Sequence, residues 1–134
     1  MARTHKAPPA PAALADLSRE GLLYLFEISG AFVTRRDLAR ARWHELCREV
    51  ERTSNAWDAA RHAYSAVLLD ASDQRTSRAI ATGMLKRERA KGRERRAFAA
   101  ANRASHAATA FYDEHLAVHV SREAQQPIAT GAAA

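Results

Sequence analysis

Three polar side chains near the C-terminus are spaced as metal ligands would be on a helix. His115, His119 and Glu123 follow one another at intervals of four residues, which places them along one helix edge. A catalytic zinc helix carries Glu directly after its first His, but Leu116 occupies that position here. We therefore interpret the three as surface or seam residues, and we predict neither a metal nor a cofactor.

Cys47 is the other candidate for reactive chemistry, and it is the single cysteine of the chain. It follows Leu46 within a helical periodicity, and no adjacent residue supplies a paired base, so we expect a small buried apolar side chain. A lone cysteine excludes an intramolecular disulfide and a thiolate zinc cluster. The sequence also lacks glycine-rich phosphate loops and Gly-x-Ser-x-Gly elbows. It therefore favours a protein that is not an enzyme.

Alanine dominates the composition of the 134 residues. It accounts for 32 of the residues in an apolar class that makes up 47% of the chain. Alanine is the best helix former and a poor strand residue, and no proline interrupts residues 12–126. The sequence therefore predicts an all-α fold, an antiparallel bundle of three to four helices with one long coiled-coil-like helical hairpin.

The ends of the chain differ in composition from its middle. We expect a flexible Ala/Pro-rich arm over 1–13, a single helical bundle domain over 14–124 and a disordered tail over 125–134. The arm lacks the apolar run of a signal peptide. The most apolar stretch, 21–33, is shorter than the roughly 20 residues that cross a bilayer. These features predict a cytoplasmic protein without membrane attachment.

Residues with capping side chains mark the helix starts. Thr34 and Asp37 form a variant of the capping box, with Asp in place of the usual Glu or Gln. Gly30 lies near the end of the preceding apolar stretch. The predicted helices are a first from about Asp16 or Ser18 to Ser29, a second from 34 to about 70, a third capped by Ser72 or Asp73, and a long last helix over about 97–123. An uninterrupted helix through the break after Asp70 is the alternative.

The second predicted helix carries the strongest periodicity. Two series of residues recur at intervals of seven, offset from each other by three or four positions. Such a pattern is typical of helices that pack side by side with a left-handed twist. We expect this helix to pack antiparallel against the alanine-rich helix 97–118, and its seam to support self-association or packing with a partner helix. The predicted interface residues are Trp43, Leu46, Val50, Trp57, Tyr64 and Val67.

The net charge of +6 is concentrated in one quarter of the chain. Residues 74–105 hold ten Lys and Arg against Glu88 and Glu94, so they carry +8, while the remainder sums to −2. Because the cations surround a helix axis, we expect no buried face here, whether the stretch is a solvated helix or a loop opened at Gly92. The segment 86–96, termed the basic segment, contains Lys86, Arg87, Arg89, Lys91, Arg93, Arg95 and Arg96.

Guanidinium groups bind carboxylates and phosphates through paired hydrogen bonds. The sequence therefore predicts a non-enzymatic helical scaffold or adaptor, a homo-oligomer that docks an acidic protein partner through the basic segment. The alternative is a nucleic-acid-binding accessory protein that contacts backbone phosphates through 86–96 without reading bases. A solvated helix face without a specific ligand is the third interpretation of the same residues.

Overall fold

The computed structural model describes residues 6–70, 76–117 and 128. These residues form three α-helices, α1 (Arg19–Ile28), α2 (Arg35–Asp70) and α3 (Ser77–His115), and a short 3-10 turn at Leu14–Asp16. Helix α2 packs closely against α3. The predicted all-α fold with one long helical hairpin is confirmed. None of the described helices combines the length and the apolarity needed to span a membrane.

The first two α-helices begin at the residues that the capping signals indicate. Ser18 precedes α1, and its hydroxyl accepts a hydrogen bond from the Gly21 amide at 3.2 Å. Before α2 the capping box is reciprocal, because the Asp37 amide donates to the Thr34 hydroxyl at 3.1 Å and the Thr34 amide donates to the Asp37 carboxylate at 3.0 Å. Each cap satisfies backbone groups that the helix itself leaves unpaired.

Helix α3 begins later than expected and is longer than any predicted helix. The Thr76 hydroxyl accepts a hydrogen bond from the Ala79 amide at 3.1 Å, which makes Thr76 the cap. The predicted caps Ser72 and Asp73 lie outside the described residues. From Ser77 the helix runs without interruption to His115, so the third and last predicted helices are one.

The C-terminal end of α3 comes earlier than the predicted end near Glu123. The amides of Leu116 and Ala117 both donate to the Tyr112 carbonyl at 2.9 Å, and this arrangement closes the last turn. Leu116 is buried beside Phe111 in a core cluster. Tertiary packing of Leu116 therefore ends the helix where local propensity would extend it. His119 and Glu123 lie outside the described residues.

The chain divides into two compact units, termed unit 1 (residues 1–49 and 105–134) and unit 2 (residues 50–104). Unit 1 contains nine Lys and Arg against nine Asp and Glu, whereas unit 2 contains twelve against six. The whole net charge of +6 therefore belongs to unit 2. The arm, the single domain over 14–124 and the tail remain predictions.

Unit 1 is held by two apolar clusters. The first joins α1 to the start of α2 through the buried residues Leu17, Leu25, Leu38 and Ala41. The second joins α2 to the end of α3, and its members are Ala39, Phe111 and Leu116 with half-buried Trp43 and Leu46 packed against them.

A polar contact fixes the start of α1 against α2. One carboxylate oxygen of Glu45 accepts hydrogen bonds from the Ser18 amide at 2.8 Å and the Ser18 hydroxyl at 2.9 Å. The other oxygen pairs with Arg42 at 2.6 Å. A Cβ on Gly21 would lie 2.0 Å from the Glu45 carboxylate, so a larger residue at this position would displace the Glu45 side chain from Ser18.

In unit 2, α2 and α3 run antiparallel. Trp57 contacts Phe98, with ring centroids 5.0 Å apart. Val67 lies ten residues after Trp57 on α2, and Gly83 lies fifteen residues before Phe98 on α3. These two residues line one groove, so the chain directions of the two helices are opposite. Gly83 and Ala90 are buried. Because they lack bulky side chains, they allow the backbones of α2 and α3 to approach each other closely.

Candidate functional site

The basic segment is part of a continuous helix. All its residues lie within α3, and Gly92 continues the helix rather than opening a loop. Eleven residues at 1.5 Å each give the segment a length of about 16 Å. Its seven cations are therefore presented from a rigid rod within unit 2.

One side of the basic segment is buried, so the expectation that no face would be buried is wrong. Ala90 is only 1% exposed. Glu94 accepts a hydrogen bond at 2.9 Å from the indole Nε1 of Trp57 on α2. The small residues Gly83, Ala90 and Ala97 recur at intervals of seven, and this repeat gives the highly charged helix a narrow side that packs on α2.

The other sides of the segment carry cations that form no ion pair with any carboxylate of the described residues. Lys86, Arg89, Arg93, Arg95 and Arg96 are exposed. None of the seven cations of the segment forms an ion pair with a carboxylate in the part of the chain that the structure describes. The segment itself contains only two carboxylates that could pair with these cations, Glu88 and Glu94. Glu94 already accepts a hydrogen bond from the Trp57 indole.

Two cations of the basic segment are more buried than the other five. Arg87 and Lys91 are half-buried, and the Arg87 Nε atom is shielded from water without a hydrogen-bond partner among the described residues. A shielded donor without an acceptor costs free energy. An incoming carboxylate or phosphate can pair with the Nη atoms of the same guanidinium, which are not shielded, and this pairing would offset part of the cost.

The predicted interface residues lie in the hairpin. Trp43, Leu46, Val50, Trp57, Tyr64 and Val67 are all half-buried. In unit 1 the Trp43 ring lies 5.3 Å from that of Tyr112, and in unit 2 the Trp57 ring contacts Phe98. The Arg61 guanidinium lies 5.1 Å from the Trp57 ring centroid. These aromatic side chains thus contact α3 of the same chain, while the left-handed supercoil remains a prediction.

Exposed apolar side chains on α3 lie directly before and after the basic segment. Ile80, Met84 and Leu85 precede it with exposures of 46%, 59% and 58%, and Phe98 follows it with 47%. Leu68 on α2 is 48% exposed in the same unit. This surface was not identified from the sequence, because the charge of the basic segment dominates the pattern of this part of the chain.

The residues first considered for chemistry have ordinary surroundings. The His115 Nε2 atom lies 3.2 Å from the Pro8 carbonyl oxygen, and its ring packs on Phe111. Cys47 is half-buried, and this burial raises the pKa of its thiol, which disfavours the nucleophilic thiolate. Within 6–70, 76–117 and 128, no group of three or more His, Cys, Asp or Glu side chains is arranged to hold a metal ion.

Comparison of this chain with protein-family models, with curated proteins and with solved structures finds no match.

Proposed function

We propose that this protein is a non-enzymatic cytoplasmic adaptor that binds an acidic protein partner through the basic segment of α3. One observation carries the proposal: the segment presents seven cations on a rigid helix without an ion pair to any described carboxylate. Cations crowded on one helix repel one another, and an anionic partner relieves that repulsion. Arginine accounts for five of the seven cations, and its planar group binds carboxylates bidentately, as it does phosphates.

The exposed apolar side chains favour a protein over a nucleic acid. Met84 and Leu85 lie within two residues of the first cation of the segment, and Phe98 lies two residues after the last. A phosphate backbone offers little apolar surface to cover aliphatic side chains. The surface of a protein partner supplies carboxylates and apolar groups together, so it fits both features of this helix.

The proposal predicts that binding of an acidic polypeptide depends on charge in the basic segment. In the triple variant Arg93→Gln, Arg95→Gln, Arg96→Gln, we expect poly-glutamate to bind about tenfold more weakly at low salt, because three charge contacts are lost. All three side chains are exposed, so the fold should be retained. Isothermal titration at two salt concentrations measures the effect.

A matched control removes the same charge from unit 1. The triple variant Arg19→Gln, Arg35→Gln, Arg40→Gln neutralises three exposed arginines there and should leave poly-glutamate binding nearly unchanged. Equal losses in both triple variants would show that net charge alone governs binding and would refute a specific site. Tight binding of duplex DNA with no binding of poly-glutamate would replace the proposal with the nucleic-acid alternative.

Self-association is the second part of the proposal, and it concerns unit 1. Leu23, Phe26 and Phe32 are 57%, 68% and 72% exposed, and unit 1 has no net charge to keep two copies apart. Apolar surface of this kind marks contact sites. We expect sedimentation to detect a dimer whose dissociation constant rises about tenfold in Phe26→Ser, since about 1.4 kcal/mol corresponds to tenfold. A monomer at all concentrations would contradict this part.

A further inference from the structure

We infer that the acidic partner is an amphipathic α-helix that lies along one flank of α3 in unit 2. The inference rests on the proposed function and adds the shape and the position of the partner to it. Residues spaced by three or four along α3 form one line on the helix surface. This line, termed the flank stripe, consists of Ile80, Met84, Arg87, Lys91, Arg95 and Phe98.

The flank stripe has apolar ends and a cationic middle. Ile80 and Met84 at one end are 46% and 59% exposed, and Phe98 at the other end is 47% exposed. The middle consists of Arg87, Lys91 and Arg95. From Ile80 to Phe98 the stripe covers nineteen residues, and the two ends lie about 27 Å apart along the helix axis, which is the length of five helical turns.

The middle of the stripe lies at the margin of the contact between α2 and α3. Arg87 and Lys91 are half-buried although both are charged, so part of each side chain lies against the protein. The Arg87 Nε atom is shielded and has no acceptor among the described residues. The two Nη atoms of the same guanidinium are not among the shielded atoms, so a carboxylate on the stripe can pair with them.

The positive charge of unit 2 favours an acidic helix on the flank stripe over a second copy of the same unit. A second copy of unit 2 would bring the same net charge of +6, and like charges facing each other across an interface are unfavourable. An acidic helix with apolar residues near both ends complements the stripe in charge and in apolar character. It would bind in the helix-in-groove mode, with anchors spaced by three, four and seven residues.

The test uses a synthetic helical peptide of about twenty residues with leucine near both ends and glutamate between them, beside poly-glutamate as the purely charged probe. Met84 and Leu85 are neighbours with nearly equal exposure, but only Met84 belongs to the stripe. We expect Met84→Ser to weaken binding of the peptide about tenfold and Leu85→Ser to change it less than about twofold. Ile80→Ser is the second variant, and thermal unfolding verifies that all three variants fold.

The outcomes separate this inference from the proposed function. Equal effects of Met84→Ser and Leu85→Ser, or a peptide that binds no more tightly than poly-glutamate, would overturn the flank stripe while leaving the basic segment as the site. Failure of both probes to bind the intact chain would overturn both. A peptide that duplex DNA displaces at equal charge concentration, with DNA binding more tightly, would overturn the inference in favour of a nucleic acid.

Discussion

Replacing Phe111 with Ala is expected to lower the free energy of unfolding by about 4 kcal/mol, because truncating a fully buried phenylalanine costs about 3–5 kcal/mol. The Phe111 side chain is 0% exposed and is the largest fully buried side chain of the described residues. It packs in the cluster that joins the end of α3 to α2, with Ala39 and Leu116 buried beside it. Urea denaturation followed by circular dichroism measures the change.

The matched control is a second phenylalanine of unit 1. Phe26 is 68% exposed, so Phe26→Ala should change the free energy of unfolding by less than about 0.5 kcal/mol. Both variants are compared at one low protein concentration, where association contributes little. Similar losses for the two variants would show that burial of Phe111 is not what stabilises this end of the hairpin.

Trp57→Ala is expected to destabilise the chain by about 3 kcal/mol, at the lower end of the range for buried aromatic residues because the side chain is half-buried. The substitution removes the ring contact with Phe98. It also removes the indole N–H that donates to Glu94, which leaves a carboxylate without that donor in the seam. The same denaturation experiment measures the loss.

Two further variants divide the effect of Trp57 into its parts. Trp57→Phe keeps an aromatic ring but removes the N–H donor, and we expect it to cost about 1–2 kcal/mol. Glu94→Gln keeps an oxygen that can accept the bond and should cost less than Trp57→Phe. If Trp57→Ala left stability unchanged, the packing of α2 on α3 in unit 2 would have to differ from the structure described above.

Local chemistry allowed the sequence to predict the start of α2 and the side of this helix that packs on α3. The capping box of Thr34 and Asp37 depends only on residues three positions apart, so it is visible in the sequence. The seven-residue spacing of Trp43, Val50 and Trp57 identified residues that are half-buried in the structure. Both signals are local and strong.

The buried side of the basic segment could not be recognised from charge alone. Seven cations in eleven residues concealed the repeat of Gly83, Ala90 and Ala97, which continues the small-residue seam of α3 toward its start. Glycine and alanine give a weak apolar signal, but they are what allows close packing opposite Trp57. Extending the repeat backwards by seven residues would have predicted Ala90 as buried.

The contacts that depend on distant residues were beyond sequence reasoning. The Glu94 carboxylate contacts Trp57, thirty-seven positions away, and Glu45 contacts Ser18, twenty-seven positions away. Within α2, Glu45 pairs with Arg42, which lies on the preceding turn. The packing of α1 on α2 determines which side chains Glu45 contacts, and residue spacing within one helix does not predict that packing.

The salt dependence of stability tests most directly whether the cations of the basic segment lack partners within the chain. The segment contains five like-charged pairs at helical spacings of three or four, such as Arg89 and Arg93, and each costs a few tenths of a kcal/mol at low salt. Raising NaCl from about 50 mM to about 500 mM shortens the screening distance from about 14 Å to about 4 Å. We predict that the free energy of unfolding rises by about 1 kcal/mol, and by less than half as much in the triple variant Arg93→Gln, Arg95→Gln, Arg96→Gln. A free energy of unfolding that falls on adding salt in the intact chain, but falls clearly less in the triple variant, would mean that the cations of the segment are paired with carboxylates of the same molecule, and would contradict the proposed binding site.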